Sequence, residues 1–260
     1  MASKMIKPKV IILSGYGLNC EEETAYAFEL AGARAEIVHI NDLIAKKKKL
    51  SSYQIMAVPG GFAYGDDTGS GLAYANKLRN HLSADIQKFI ESDKLAIGIC
   101  NGFQVITQLG LVPGVLTFNA GGRYIDRWVD LKVTGKSPWL EGIKILSIPI
   151  AHGEGNYYAD QKTLKQMEKD GSAALEYTEA EICKYQDLPA NPNGSVKNIA
   201  GVTSHNGRVL GLMPHPERGI FFEQLPHAAY LREKYRRAGK TPPKFTQSLQ
   251  IFKNAVNYFK

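Results

Sequence analysis

Cysteine is scarce in this chain: Cys20, Cys100 and Cys183 are the three thiols among 260 residues. Odd in number and far apart, they exclude a disulfide framework and lack the paired spacing of a zinc site, so no metal is expected and a reducing cytoplasm fits best. Long apolar runs are missing too. No stretch approaches the roughly 18 apolar residues that a membrane-crossing helix needs. The opening MASKMIKPKV passes directly into strand-like sequence without the apolar core of a signal peptide. The full G-x-x-x-x-G-K-S/T phosphate loop is absent, so no ATP site of that kind is expected in this chain. No repeat, low-complexity tract or linker divides the sequence, which predicts one domain over residues 1–260.

What is present is an ordinary globular composition, 44% hydrophobic and 22% charged, on a chain long enough to bury a sizeable core. The net charge of +7 suits nucleic acid, an acidic protein or a phosphorylated substrate. The basic run Lys46–Lys49 has no interleaved aromatics and reads as a solvated helix end or loop, so no nucleic-acid partner is expected.

KVIILSGYG (9–17), AEIVHI (35–40), YQIMAVPGG (53–61) and KLAIGI (94–99) are short apolar runs, several ending in glycine, as buried parallel strands do. Between the first two, Asn19 with Glu22 reads as a capping box opening a helix that Gly32 closes. A second helical stretch runs from Gly71 to about Ser92. Strand and helix alternating at this spacing predict an α/β fold with a mostly parallel, doubly wound sheet and flanking helices. Further on, RYIDRWVDLKVT (123–134), KILSIPIAHG (144–153) and EICKYQ (181–186) read as strands, with a helix near 160–170. IAGVTSHNGRVLGLMP (199–214) reads as a hairpin turning at Asn206–Gly207. These predict an antiparallel section added to the parallel one. Residues 225–260 read as a helical C-terminal extension, with Phe245, Leu249, Phe252, Val256 and Phe259 forming a stripe docked on the core.

The chemistry concentrates at AIGICNGFQVI (96–106). Gly98-Ile-Cys100-Asn-Gly102 at a strand–helix junction has the form of a nucleophile elbow, in which glycines leave space for a sharp turn and the helix N-terminus favours thiolate. A buried structural cysteine needs no such glycines. The thiol also needs a base, because an ordinary cysteine is only a few per cent thiolate at neutral pH. Two histidines carry a carboxylate two residues later: His152 with Glu154, and His215 with Glu217. In extended chain such residues share a face. Pro216 stiffens the second pair, but spacing leaves both open. For an oxyanion, the backbone N–H of Asn101 and those of Gly60 and Gly61 are the candidate donors. Physics reaches a thiol acyl-transfer enzyme without naming the acyl group.

With these residues in place, the chain resembles class I glutamine amidotransferases. The family's triad of an elbow cysteine and a distant His-x-Glu falls on Cys100, His215 and Glu217, so the resemblance chooses His215 over His152 as the base. Gln104 falls on the position that contacts bound L-glutamine. SGYGLNCEEETAYAFELAGA, VPGGFAYGDD, GRYIDRWVDLKV, AHGEGNYY, NPNGS and LMPHPER, from about Val10 to Phe222, narrow the resemblance to amidotransferase subunits of purine biosynthesis. The resemblance implies a glutaminase with no cofactor of its own, delivering ammonia to a separate synthetase subunit. There ATP and magnesium would activate formylglycinamide ribonucleotide; a small bridging subunit is left open. His152 and Glu154 are then expected at the site's mouth or at a partner interface. The alternatives are an independent cysteine hydrolase of γ-glutamyl or peptidase-like type, and a non-catalytic subunit that has kept the fold. Beyond Leu225 the tail matches no motif of the family.

Overall fold

The computed structural model describes residues 7–67 and 69–260. The beginning of the segment read as lacking a signal-peptide core, residues 1–6, lies outside the described residues.

Four parallel strands come first: β1 (Lys9–Ser14), β2 (Arg34–His39), β3 (Ile55–Val58) and β4 (Leu95–Ile99). Helices α1 (Glu21–Leu30), α2 (Ile40–Ile44) and α3 (Leu72–Glu91) connect them, and α4 (Asn101–Gln108) follows β4 at once. Next come β5 (Val115–Thr117), β6 (Ile125–Val133), β7 (Ile145–His152), β8 (Asn156–Tyr158), α5 (Gln161–Asp170), β9 (Ala173–Thr178) and α6 (Glu181–Gln186). The chain finishes with β10 (Ile199–Ser204), β11 (Val209–Leu212), α7 (Ala228–Arg237) and α8 (Ser248–Asn257).

Nine strands form one sheet in the order β2-β1-β3-β4-β11-β10-β9-β6-β7. From β2 to β11 neighbours run parallel; from β11 to β7 they alternate antiparallel. The expected α/β sheet with an antiparallel section is therefore present. Because β3 and β4 lie inside the sheet, all of their residues are buried, which explains their unbroken apolar sequence. The strand directions bring the C-terminal ends of β3, β4, β11 and β7 to one edge, and the candidate site residues gather there.

Three local expectations need correction. EICKYQ is helix α6, not a strand, because the buried Asp130 carboxylate on β6 accepts hydrogen bonds from Ala180 N–H (3.1 Å) and Cys183 N–H (2.9 Å) and so supplies the cap. The strand of that region is β9. Asn19 is not a helix cap either. The cap position is Cys20, without a side-chain bond, and the N–H groups of Asn19 and Cys20 both reach the Gly60 carbonyl at 3.1 Å. The β10–β11 hairpin turns through four residues, with His205, Asn206 and Gly207 all at positive φ. The lysine run does lie in a loop after α2, where Lys47 pairs with Asp42 and Lys48 with Glu36.

In the tail, Leu249, Phe252 and Val256 are buried, and the Phe252 ring meets Phe28 edge-on at 5.0 Å. Asn254 ties α8 down by donating to the carbonyls of Trp139 (3.0 Å) and Glu141 (2.8 Å). Among the described residues no helix is long and apolar enough to cross a membrane.

Candidate active site

Cys100 stands between β4 and α4 at φ 51°, ψ −107°, outside the usual regions for a side-chain-bearing residue. Its N–H donates to Leu212 O at 2.8 Å, and its own carbonyl accepts from Phe103 and Gln104 N–H, so the strained turn is held at both ends. The flanking glycines are required by space. A Cβ on Gly98 would stand 2.6 Å from the Gly102 carbonyl oxygen, and one on Gly102 only 1.8 Å from that of Val58. The thiol borders the pocket and donates to Ala151 O at 3.5 Å.

After β11, the chain carries His215 and Glu217 to the same edge. His215 N–H donates to Pro149 O at 2.8 Å, fastening the segment to β7. The side chains are buried, with His215 Nδ1 2.6 Å from Glu217 Oε1. Burial by itself would push the His215 pKa down. The Glu217 charge and the Cys100 thiol within hydrogen-bond reach outweigh it and hold it well above the ordinary value. Gly60 packs on this imidazole: a Cβ there would lie 2.6 Å from His215 Cε1. Cys20 lies beside the pair, with its sulfur and ligand atoms of His215 and Glu217 all within 4.8 Å of one another. Sequence reasoning left Cys20 without a place at the site.

A pocket of about 140 Å³ opens at Cys100, lined among others by Gly61, Asp66, Gln104, His152 and Glu154. Gly60 is outside this lining, so of the two glycines only Gly61 faces the pocket. Asn101 opens α4, where first-turn N–H groups have no intrahelical acceptor. Its side-chain amide donates to Asp66 Oδ1 (3.1 Å) and Gln104 Oε1 (2.8 Å). Gln104 in turn donates to Glu154 O at 2.7 Å. Burial raises the pKa of Asp66, against hydrogen bonds from Gly71, Asn101 and Ser70, and the Glu154 charge adds to the rise. His152 is buried, so it presents no outer surface to a partner. Burial, with the His215 charge nearby, lowers its pKa to about 4.

Phe62 and Tyr124 stack at 6.0 Å at the rim, with Phe118 largely exposed beside them. Asp66 and these rim aromatics were missed from sequence, as was Asn119, whose Oδ1 lies 3.0 Å from His152 Nδ1. Asp66 and Phe62 sit in the quoted VPGGFAYGDD and Tyr124 in GRYIDRWVDLKV, but neither spacing nor residue type singled them out.

The chain that brings this buried thiol, imidazole and carboxylate together at the C-terminal edge of a parallel sheet resembles known proteins. Residues 7–259 match the model of the CobB/CobQ-like glutamine amidotransferase domain. The chain is 47% identical over 270 residues to phosphoribosylformylglycinamidine synthase subunit PurQ of Methanococcus maripaludis strain C7, covering 98% of this chain and 99% of that protein. It is 41% identical over 264 residues to the subunit of the same name from Dehalococcoides mccartyi, with 98% of each chain covered. Among solved structures it resembles a chain of PurLQS from Thermotoga maritima, with TM-score 0.74, 30% identity, and 98% of this chain and 100% of that one covered. Matched over nearly its whole length, this chain belongs to the CobB/CobQ-like glutamine amidotransferase family.

Proposed function

We infer that this chain is the glutaminase subunit of phosphoribosylformylglycinamidine synthase, an amidotransferase that frees ammonia from L-glutamine for purine biosynthesis. It works with a synthetase subunit and a small third subunit. The observation that carries the chemistry is the buried His215–Glu217 pair beside a thiol on a strained strand–helix turn. The pocket there, about 140 Å³, suits one amino-acid side chain.

In the reaction we propose, the Cys100 thiolate attacks the side-chain carbonyl carbon of glutamine. The oxyanion develops near the N–H groups of Asn101 and Gly61. The C–N bond breaks as His215 passes its proton to the departing nitrogen, leaving ammonia and a γ-glutamyl thioester. Water, deprotonated by His215, then releases glutamate and restores the thiol. Glu217 holds the imidazole and supports its positive charge. Gln104 borders the pocket and acts in substrate binding. Ammonia passes to the synthetase, which on this reading holds the ATP and magnesium and aminates formylglycinamide ribonucleotide. The three free thiols suit a reducing cytoplasm, where we place the protein. The near-complete coverage of the PurQ relatives speaks against an independent hydrolase.

A diazoketone analogue of glutamine tests the reading. Incubated with the complex, it should alkylate Cys100, as peptide mass mapping would show, and stop glutamate release. Turnover of glutamine that continues without an adduct on Cys100 would overturn it.

A further inference from the structure

His152 is buried to 3% exposure beside Cys100, yet its Nε2 has no hydrogen-bond partner. Which ring nitrogen carries the proton follows from its neighbour. Asn119 donates through Nδ2 to the carbonyls of Arg123 and His152, both at 2.8 Å, so its Oδ1 faces the other way. That oxygen accepts from Gly155 N–H at 3.1 Å and lies 3.0 Å from His152 Nδ1. An amide oxygen can only accept, so Nδ1 must bear the hydrogen and donate. Nε2 is then a bare lone pair, buried and unmatched, and burial keeps the ring uncharged at neutral pH. A buried acceptor without a donor is costly unless a bound molecule supplies one.

We propose that His152 Nε2 is the neutral acceptor for an N–H of the substrate carboxamide and of the ammonia formed from it. This rests on the glutaminase reading and deepens it. The carboxamide carries two N–H donors on the atom that leaves. An acceptor at that place turns the leaving nitrogen toward the His215 proton. Being neutral and weakly basic, it holds ammonia without converting it to ammonium, which could not act as a nucleophile at the synthetase.

The test compares two substrates in the complex with the synthetase: L-glutamine, and L-glutamic acid γ-methyl ester, whose leaving oxygen offers no N–H. His152→Asn keeps a polar group near Asn119 but has nothing at the Nε2 position. It should lose about 10- to 100-fold in kcat/KM on glutamine, the range of one unmatched buried hydrogen bond, and only a few-fold on the ester. His152→Gln, whose amide oxygen reaches the Nε2 position, should recover most of the loss. Equal losses on both substrates, or no loss on glutamine, would overturn the proposal. A measurement free of His152 variants stands beside this one. In the full chain carrying Cys100→Ala, imidazole nitrogen-15 resonances should show His152 protonated on Nδ1, and its Nε2 signal should move upfield with saturating glutamine. An unmoved signal would overturn it. Wild-type glutamine turnover tests the glutaminase reading separately, and the preference between the two substrates tests this one.

Discussion

Gly102 lies so close to the Val58 carbonyl that a Cβ there would stand 1.8 Å from the oxygen. The first turn of α4 is thus pressed on the end of β3, and this contact aims the elbow. No flexible side chain is available to yield, since the obstacle is backbone. Gly102→Ala should therefore destabilise the protein by about 3 kcal/mol or more, or displace the elbow. Denaturant unfolding and the rate of Cys100 alkylation would show it. A variant with wild-type stability and reactivity would mean that the backbone gives way more easily than the packing implies.

Glu217 holds the His215 pKa high against burial. Glu217→Gln keeps the shape and a hydrogen-bond acceptor but removes the charge, so the imidazolium loses its partner and its pKa should fall. The thiolate–imidazolium pair would be less populated. Alkylation of Cys100 near pH 7 should slow, and kcat/KM for glutamine should drop about 100-fold or more, the scale of a lost general acid–base. An unchanged pH profile of alkylation would show that Glu217 does not tune the base.

His152 makes an opposite contribution. Its pKa falls from an ordinary 6.5 to about 4 on folding, so between these values the unfolded chain binds the extra proton. Stability from this group is complete above pH 6.5 and is lost as pH falls toward 4. Relative to His152→Gln, the wild type should lose about 2 kcal/mol between pH 7 and pH 5. Parallel stability curves for the two proteins over that range would contradict the burial argument.

The C-terminal stripe can be tested by volume. Phe252 is fully buried against Phe28. Phe252→Ala should cost about 3–5 kcal/mol by opening a cavity between α8 and α1. A loss below about 1 kcal/mol would mean that the extension is not part of the cooperative unit.

Much of this site was legible because its constraints are local. Gly98, Cys100 and Gly102 are close in sequence, and a tight turn needs all three. His215-Pro216-Glu217 likewise shows by spacing as a candidate pair. What was missed is held from far away. Asp130 caps α6 from a strand about 50 residues earlier, so EICKYQ carries no helix signal of its own. Asn19 looks like a cap, yet its N–H goes to Gly60, on a different strand end. Asn119 decides the tautomer of His152 across 33 residues, and nothing in its neighbourhood announces it. Spacing also could not choose between the two His-x-Glu pairs. The structure separates them by their partners: His215 Nδ1 meets the Glu217 carboxylate, whereas His152 Nδ1 meets an amide and Glu154 accepts from Ser70 N–H at 3.4 Å.

The central claim is that Cys100 frees ammonia here for chemistry performed in a partner. Cys100→Ala removes the thiol with little change of volume, and the other two thiols lack its strained backbone: Cys20 caps α1 at φ −102° and Cys183 lies within α6. The reconstituted complex carrying it should lose glutamine-dependent amination entirely. With a high concentration of ammonium salt in place of glutamine, amination should persist near the wild-type rate. Retained glutamine-dependent activity would contradict the nucleophile assignment, and loss of both activities in an assembled complex would contradict the division of labour.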